Sequence, residues 1–201
     1  MTATAHESER IVVRPATPER WDDVVQVFES GAIANRCWCQ WVRKTQQQAR
    51  DDGSDGNRAS LRILIEDRKT PGVIAYLQGE PVGWCSVGPK GSFGRLSRSQ
   101  ALTPSDADPS PDGTWATLCF YVAPFHRGGG VARALLRGAL AYARQMGATA
   151  YEAYPVRTEG RKLNNDSAYP GTDQMLADEG FHEIPGASSR RSSQIIMRKL
   201  L

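Results

Sequence analysis

The sequence predicts a mixed α/β fold whose central sheet is partly antiparallel and flanked by helices. Three observations carry that reading. A largely apolar run, Trp115 to Val122, feeds a glycine turn that opens an amphipathic helix. Two β-branched runs earlier in the chain are joined by a short turn of hairpin character. Helical and strand patterns alternate along 201 residues, a length that suits one domain, placed at 11–201 after a polar and mobile start at 1–10.

The elements follow in order. Ile11-Val12-Val13-Arg14 reads as a strand ended by Pro15. Thr17-Pro18-Glu19 is a helix start: an N-cap residue, proline at the first position and a carboxylate in the first turn. Trp21, Val24, Val25 and Phe28 recur at helical spacing up to Gly31. The stretch Cys37 to Val42 is apolar and aromatic without a period. A polar loop is expected around Asp51–Gly56, then a helix through Leu61, Ile63, Leu64 and Ile65. Val73–Leu77 and Val82–Val87 are strands joined through Gly79-Glu80-Pro81. The segment 91–114 is rich in Ser, Asp, Pro and Gly and reads as a long loop, either a binding segment or a disordered insertion.

The second half is more regular. Val131, Leu135, Leu136, Ala139, Leu140 and Ala143 form one helix face, ended by Gly147. Ala150–Tyr154 is a strand closed by Pro155. A polar stretch, Arg157–Ser167, precedes a short helix at Met175–Glu179 that Gly180 stops. Phe181–Ile184 and Gln194–Arg198 read as an antiparallel pair. The turn between them holds Ser188, Ser189, Arg190 and Arg191, read as solvated.

Composition narrows the function. Hydrophobic residues make up 40% and charged residues 23%, which excludes a fibrous or disordered chain. No apolar run is long enough to span a bilayer, and the start lacks the apolar core of a secretory signal. No membrane partner is expected. A net charge of +3 is too small to indicate nucleic acid. Cys37, Cys39, Cys85 and Cys119 form no disulfide framework, so a reducing cytoplasm is the expected location. No metal-ligand spacing accompanies Cys37-Trp38-Cys39, so these thiols are read as packed or site-lining, with no metal.

The chemistry is concentrated at Arg127-Gly128-Gly129-Gly130-Val131-Ala132. The first N–H groups of a helix have no partner inside it and carry partial positive charge. Glycines let an anion approach that backbone, and Arg127 adds a full charge. A phosphate site is one reading; a tight turn alone is another. The P-loop pattern is absent, and a dinucleotide fingerprint would need glycine at Arg133.

This segment resembles the R/Q-x-x-G-x-G/A signature of the GNAT N-acetyltransferases. The preceding strand, Leu135-Leu136 and Ala177-Asp178-Glu179-Gly180-Phe181 resemble that family in order and spacing, over about residues 11–200. The resemblance implies a GNAT fold with splayed middle strands, here Trp115–Val122 and Ala150–Tyr154. It implies acetyl-CoA as co-substrate, with the pyrophosphate on Arg127, Gly128, Gly129, Gly130, Val131 and Ala132 and the pantetheine along Phe120, Tyr121 and Val122. It further implies direct acyl transfer to the amine of a small molecule or peptide. A macromolecular acceptor, another acyl donor, a non-catalytic acyl-CoA-binding module and a homodimer all stay open.

Such transfer needs a neutral amine. An amine with a pKa of about 10.4 is about 0.1% neutral at about pH 7.4, a cost of about 4 kcal/mol, so a base is needed, and an acid for the departing thiolate. The family's common tyrosine position before the Gly-Phe pair holds Leu176 here, which has no proton to give. Glu152 and Tyr154 share a strand face and are read as base and acid, the alternative being a structural ion pair and core. Tyr169 is a third candidate, Cys119 is read as packing, and His126 is placed in an exposed turn. Trp38, Trp41 and Trp84 are candidate walls of the acceptor site, the alternative being that they pack in the core.

Overall fold

The computed structural model describes residues 11–158, 169–186 and 194–201. The start at 1–10, most of the polar stretch after Arg157 and the Ser188–Arg191 turn lie outside the described residues. The chain runs through β1 (Val12–Pro15), α1 (Trp21–Glu29), α2 (Ala32–Cys37), α3 (Gln46–Asp51) and α4 (Gly53–Glu66). Then come β2 (Gly72–Leu77), β3 (Glu80–Ser86), β4 (Gly88–Pro89), α5 (Gly94–Ser97), β5 (Thr114–Thr117) and β6 (Phe120–Val122). The remainder is α6 (Val131–Gln145), β7 (Ala150–Ala153), α7 (Asp173–Asp178), β8 (His182–Ile184) and β9 (Ile196–Leu200).

Local chemistry explains where the elements depart from expectation. The polar stretch Asp51–Gly56 is helical rather than loop. Thr45 and Gln48 form a reciprocal capping box that starts α3, and the chain re-enters helix at Gly53. The hairpin turn is Gln78-Gly79, both at positive φ, one residue earlier than the spacing suggested. Within 91–114 the chain forms α5 and buries Phe93, Leu96 and Leu102.

The sheet is split. Strands β1-β2-β3-β6 form one antiparallel half, and β4-β5-β7-β9-β8 form the other, in which β5 and β7 are parallel. The single strand expected over Trp115–Val122 is therefore two strands, one in each half. The physical reason is Ser86. Its hydroxyl oxygen, fully buried, accepts the backbone N–H groups of both Leu118 (3.0 Å) and Cys119 (3.1 Å). Two consecutive strand residues cannot both point their N–H groups at one neighbour without a kink. The kink releases the chain from β7 after Thr117 and delivers Phe120–Val122 to β3.

The α6 stripe is buried as the sequence predicts, from Val131 to Ala143. Each buried leucine there contributes about 1.5–3 kcal/mol. Helix α6 lies across β1, β2, β3 and β6. Gly138 lets it sit close to β1, since a Cβ there would collide with Val13.

Replacing Ser86 with alanine should leave two buried N–H groups without an acceptor. Each costs about 1–3 kcal/mol. We expect Ser86→Ala to lower the unfolding free energy from urea titration by about 2–6 kcal/mol, whereas an exposed Ser97→Ala should change it little.

Candidate active site

A cavity of about 710 Å³ runs along β6, from the chain after α1 to the start of α6. One wall is β6. Trp84 and Tyr121 are a hydrogen-bonded pair with β3, so the peptide groups of Phe120 and Val122 point the other way, into the gap. The Phe120 N–H is taken by the Tyr169 carbonyl (2.6 Å) and the Val122 carbonyl by Arg127 Nε (3.0 Å). Among the described residues, the Val122 N–H and the Phe120 carbonyl have no partner across the gap.

The floor at one end is the glycine turn. Gly128 and Gly130 both have positive φ, and Gly130 is the N-cap of α6. No side chain caps the helix, and nothing lies within 4 Å of where a Cβ of Gly128 or Gly130 would stand. The N–H groups of Val131, Ala132 and Arg133 thus open onto an unobstructed space. Gly128, Gly130, Val131, Ala132 and Arg127 line the cavity; Gly129 is exposed and does not. His126 also lines it, from the turn at Pro124–His126.

The opposite end is built by the chain after α2 and by Tyr169. Cys37, Cys39, Trp41 and Cys119 line this end. Tyr169 Oη accepts from Arg95 Nη1 (2.7 Å), and Arg95 also donates to Gln194. Arg95 comes from α5, so the segment 91–114 braces this wall. Tyr121 Oη meets Ser30 Oγ at 3.0 Å and ties β6 to the end of α1.

Several predicted site residues lie elsewhere. Trp38 and Trp84 are fully buried and do not line the cavity. Both rings pack on Phe28, at 5.0 Å and 5.2 Å between centroids. The tryptophan that does face the cavity is Trp41, which is 44% exposed. Cys119, read as packing, lies on the cavity wall and is only half-buried.

Glu152 and Tyr154 share a face as expected, but that face is filled. Glu152 accepts from Tyr154 Oη (2.6 Å), Ser110 Oγ (2.7 Å) and Arg198 Nε (3.0 Å), and pairs with Lys90 Nζ at 2.9 Å. Arg198 in turn binds Asp108 at 2.7 Å. Neither Glu152 nor Tyr154 lines the cavity. Burial raises the Glu152 pKa, but the hydrogen bonds from Tyr154, Lys90 and Ser110 outweigh it and hold the carboxyl below its usual range. Burial first, and the Glu152 charge second, push the Tyr154 phenol well up.

The split sheet, the unpaired strand edge and the glycine-led helix together define a class of α/β proteins in which a helix N-terminus and a free strand edge border one cavity. The model of the acetyltransferase (GNAT) family matches residues 33–162, and the chain belongs to that family. Among solved structures it is similar to yncA, a putative acetyltransferase from Salmonella typhimurium with its cofactor acetyl-CoA. That match has 18% identity and a TM-score of 0.54, over 95% of this chain and 94% of that one. It is also similar to a ribosomal-protein-alanine N-acetyltransferase from Brucella melitensis, at 20% identity and TM-score 0.53 over 94% and 99%. The PaiA N-acetyltransferase from Thermoplasma acidophilum in complex with coenzyme A matches at 12% and 0.52, over 96% and 99%. These likenesses show the fold. No curated protein matches the sequence.

The Glu152 cluster has a pH signature. Its pKa is lower folded than unfolded, so its stabilising contribution is full above the ordinary glutamate range and is lost as pH falls through the depressed folded value. Glu152→Gln should flatten that acid limb in urea titrations. At neutral pH it should cost about 3–5 kcal/mol, because Arg198 and Lys90 lose their shared carboxylate.

Proposed function

We propose that this chain is an acyltransferase that moves an acetyl group from acetyl-CoA to the amine of a small molecule or peptide. The observation that carries the reading is the unobstructed N-terminus of α6 at one end of a cavity whose wall is an unpaired strand edge. The pyrophosphate suits the N–H groups at Val131–Arg133, with Arg127 beside them. The Val122 N–H and Phe120 carbonyl suit the amides of pantetheine, which would add to β6 as a strand does. The thioester then comes to the Cys119 and Tyr169 end, about 10 Å along the strand from Val122 at 3.3 Å per residue.

Glu152 and Tyr154, sealed behind that wall, act as a scaffold. Tyr169 is the remaining tyrosine of the predicted acids. Its oxygen accepts from Arg95, which leaves its own proton for the departing thiolate. Membership of the family and the fold shared with coenzyme A complexes support the assignment. No helix among the described residues is long and apolar enough to cross a membrane.

Coenzyme A at a hundredfold excess over its Kd should stabilise the protein by about 2.7 kcal/mol in a thermal shift. The absence of any shift at millimolar coenzyme A would remove the assignment. Gly130→Glu should fold yet bind no coenzyme A, since it puts a side chain and a negative charge into the open space at the helix start. Tyr169→Phe should retain binding while turnover drops roughly 10²-fold in an acetyl-CoA assay with an amine panel.

A further inference from the structure

Two large apolar side chains stand in the open at the end of the cavity away from the glycine turn. Ile33, on α2, is 49% exposed and Trp41 is 44% exposed, and both line the cavity. Phe28, Val42 and the ring of Tyr121 continue the same surface. The Tyr121 hydroxyl is already committed. It meets Ser30 Oγ at 3.0 Å and fills the space that a Cβ of Gly31 would occupy. Single apolar residues at a surface are ordinary, but a continuous apolar wall inside a cavity is a binding feature.

Trp41 also forms one side of a second recess, of about 460 Å³, whose other walls include Asn35, Arg36, Arg50 and Ser54. Ala32 and Trp41 are common to both spaces, so the indole stands between them. The chain that carries it is anchored on either side. Trp38, at positive φ, stacks on Phe28 and donates Nε1–H to Ser54 Oγ at 3.2 Å. Val42, just after Trp41, is buried. The indole is thus set in place before a ligand arrives.

Charge along these walls has one sign. Arg36 and Arg50 border the recess, and neither pairs with a carboxylate among the described residues. At the glycine end the cavity is lined by Arg127 and by Arg133, which pairs with Asp178. Among the described residues no aspartate or glutamate lines either space. The nearby Asp51 accepts from Gln47, and Asp52 pairs with Lys44. A cationic acceptor would enter here without a counter-charge, and one rich in hydroxyls would leave them unpaired. Glu152 is sealed away and His126 lies at the glycine end, so neither takes a proton from an ammonium beside Trp41. An acceptor suited to this end arrives neutral.

We propose that the acceptor is a small aromatic amine, uncharged at neutral pH, whose ring packs on Trp41 and Ile33 while its nitrogen faces the thioester. This rests on the acetyl-CoA reading above and narrows its substrate. The cavity is the size that holds one drug-sized ligand, so with the pantetheine arm seated it leaves room for a small body only. The amine lone pair adds to the thioester carbonyl carbon, the bond from that carbon to the coenzyme A sulfur breaks, and the departing thiolate takes a proton from Tyr169 or water. The nitrogen, an acidic ammonium once bonded to that carbon, gives its proton to water. A weakly basic amine needs no base before it attacks, which suits a wall without a carboxylate. Trp41 and Ile33 touch the ring and not the reacting atoms, and they determine specificity.

The test measures coenzyme A release from acetyl-CoA with three acceptors at neutral pH: p-toluidine, glucosamine and spermidine. Coenzyme A binding is followed by thermal shift in parallel. The expected kcat/KM for p-toluidine exceeds that of the other two by roughly tenfold or more. Trp41→Ala should lower the p-toluidine value about tenfold, chiefly through KM, and leave the coenzyme A shift intact. Ile33→Asp, at an exposed position, should lower the p-toluidine value and raise that of spermidine, because it supplies the missing counter-charge. Faster acetylation of glucosamine or spermidine by the native protein, no acetylation of p-toluidine, or an unchanged p-toluidine value in both variants overturns the proposal. Each of these, found with a coenzyme A shift, leaves the acetyl-CoA reading standing. No shift with coenzyme A overturns both.

Discussion

A single hydroxyl fixes the geometry on which the cavity depends. Ser86 Oγ takes the N–H groups of both Leu118 and Cys119, and the chain between them cannot continue as a strand. Before this point the chain pairs with β7; after it, with β3. The gap that results is lined by peptide groups that a continuous sheet would have consumed. The cost of unpaired backbone is limited because Tyr169 and Arg127 take two of the four exposed groups. The same kink turns Cys119 outward to the cavity. The strand edge and the thiol at its end therefore have a common origin.

Much of this was legible in sequence wherever the signal was local. The α6 stripe, the glycine turn before it and the β2–β3 hairpin each depend on residues close in sequence, and the antiparallel β8–β9 pair on runs within sixteen residues of each other. The kink was not legible, because Ser86 lies more than thirty residues from the N–H groups it binds. The place of Glu152 was hidden for the same reason. Strand parity put Glu152 and Tyr154 on one face, but what covers that face comes from Lys90, Ser110 and Arg198. Periodicity states which residues share a face and is silent on what that face meets.

The tryptophans show a different limit. Trp38, Trp41 and Trp84 are equally aromatic, and composition cannot rank them. Trp38 stacks on Phe28 and Trp84 meets the same ring edge-on, both fully buried, while Trp41 sits past two consecutive left-handed residues. The sequence-level cue for the site was the neighbouring pair of thiols, read there as packed or site-lining.

The position of β9 has a consequence for the order of assembly. It lies between β7 and β8, yet the ribosome makes it after both. Until Ile196–Leu200 emerges, neither neighbour has its central partner, and the Glu152 carboxylate waits without Arg198. The antiparallel half, complete once β6 is made and covered by α6, has no such dependence. Vectorial synthesis thus gives the nascent chain an early-closing half and a late-closing half, with the seam between them the last region to gain its second wall.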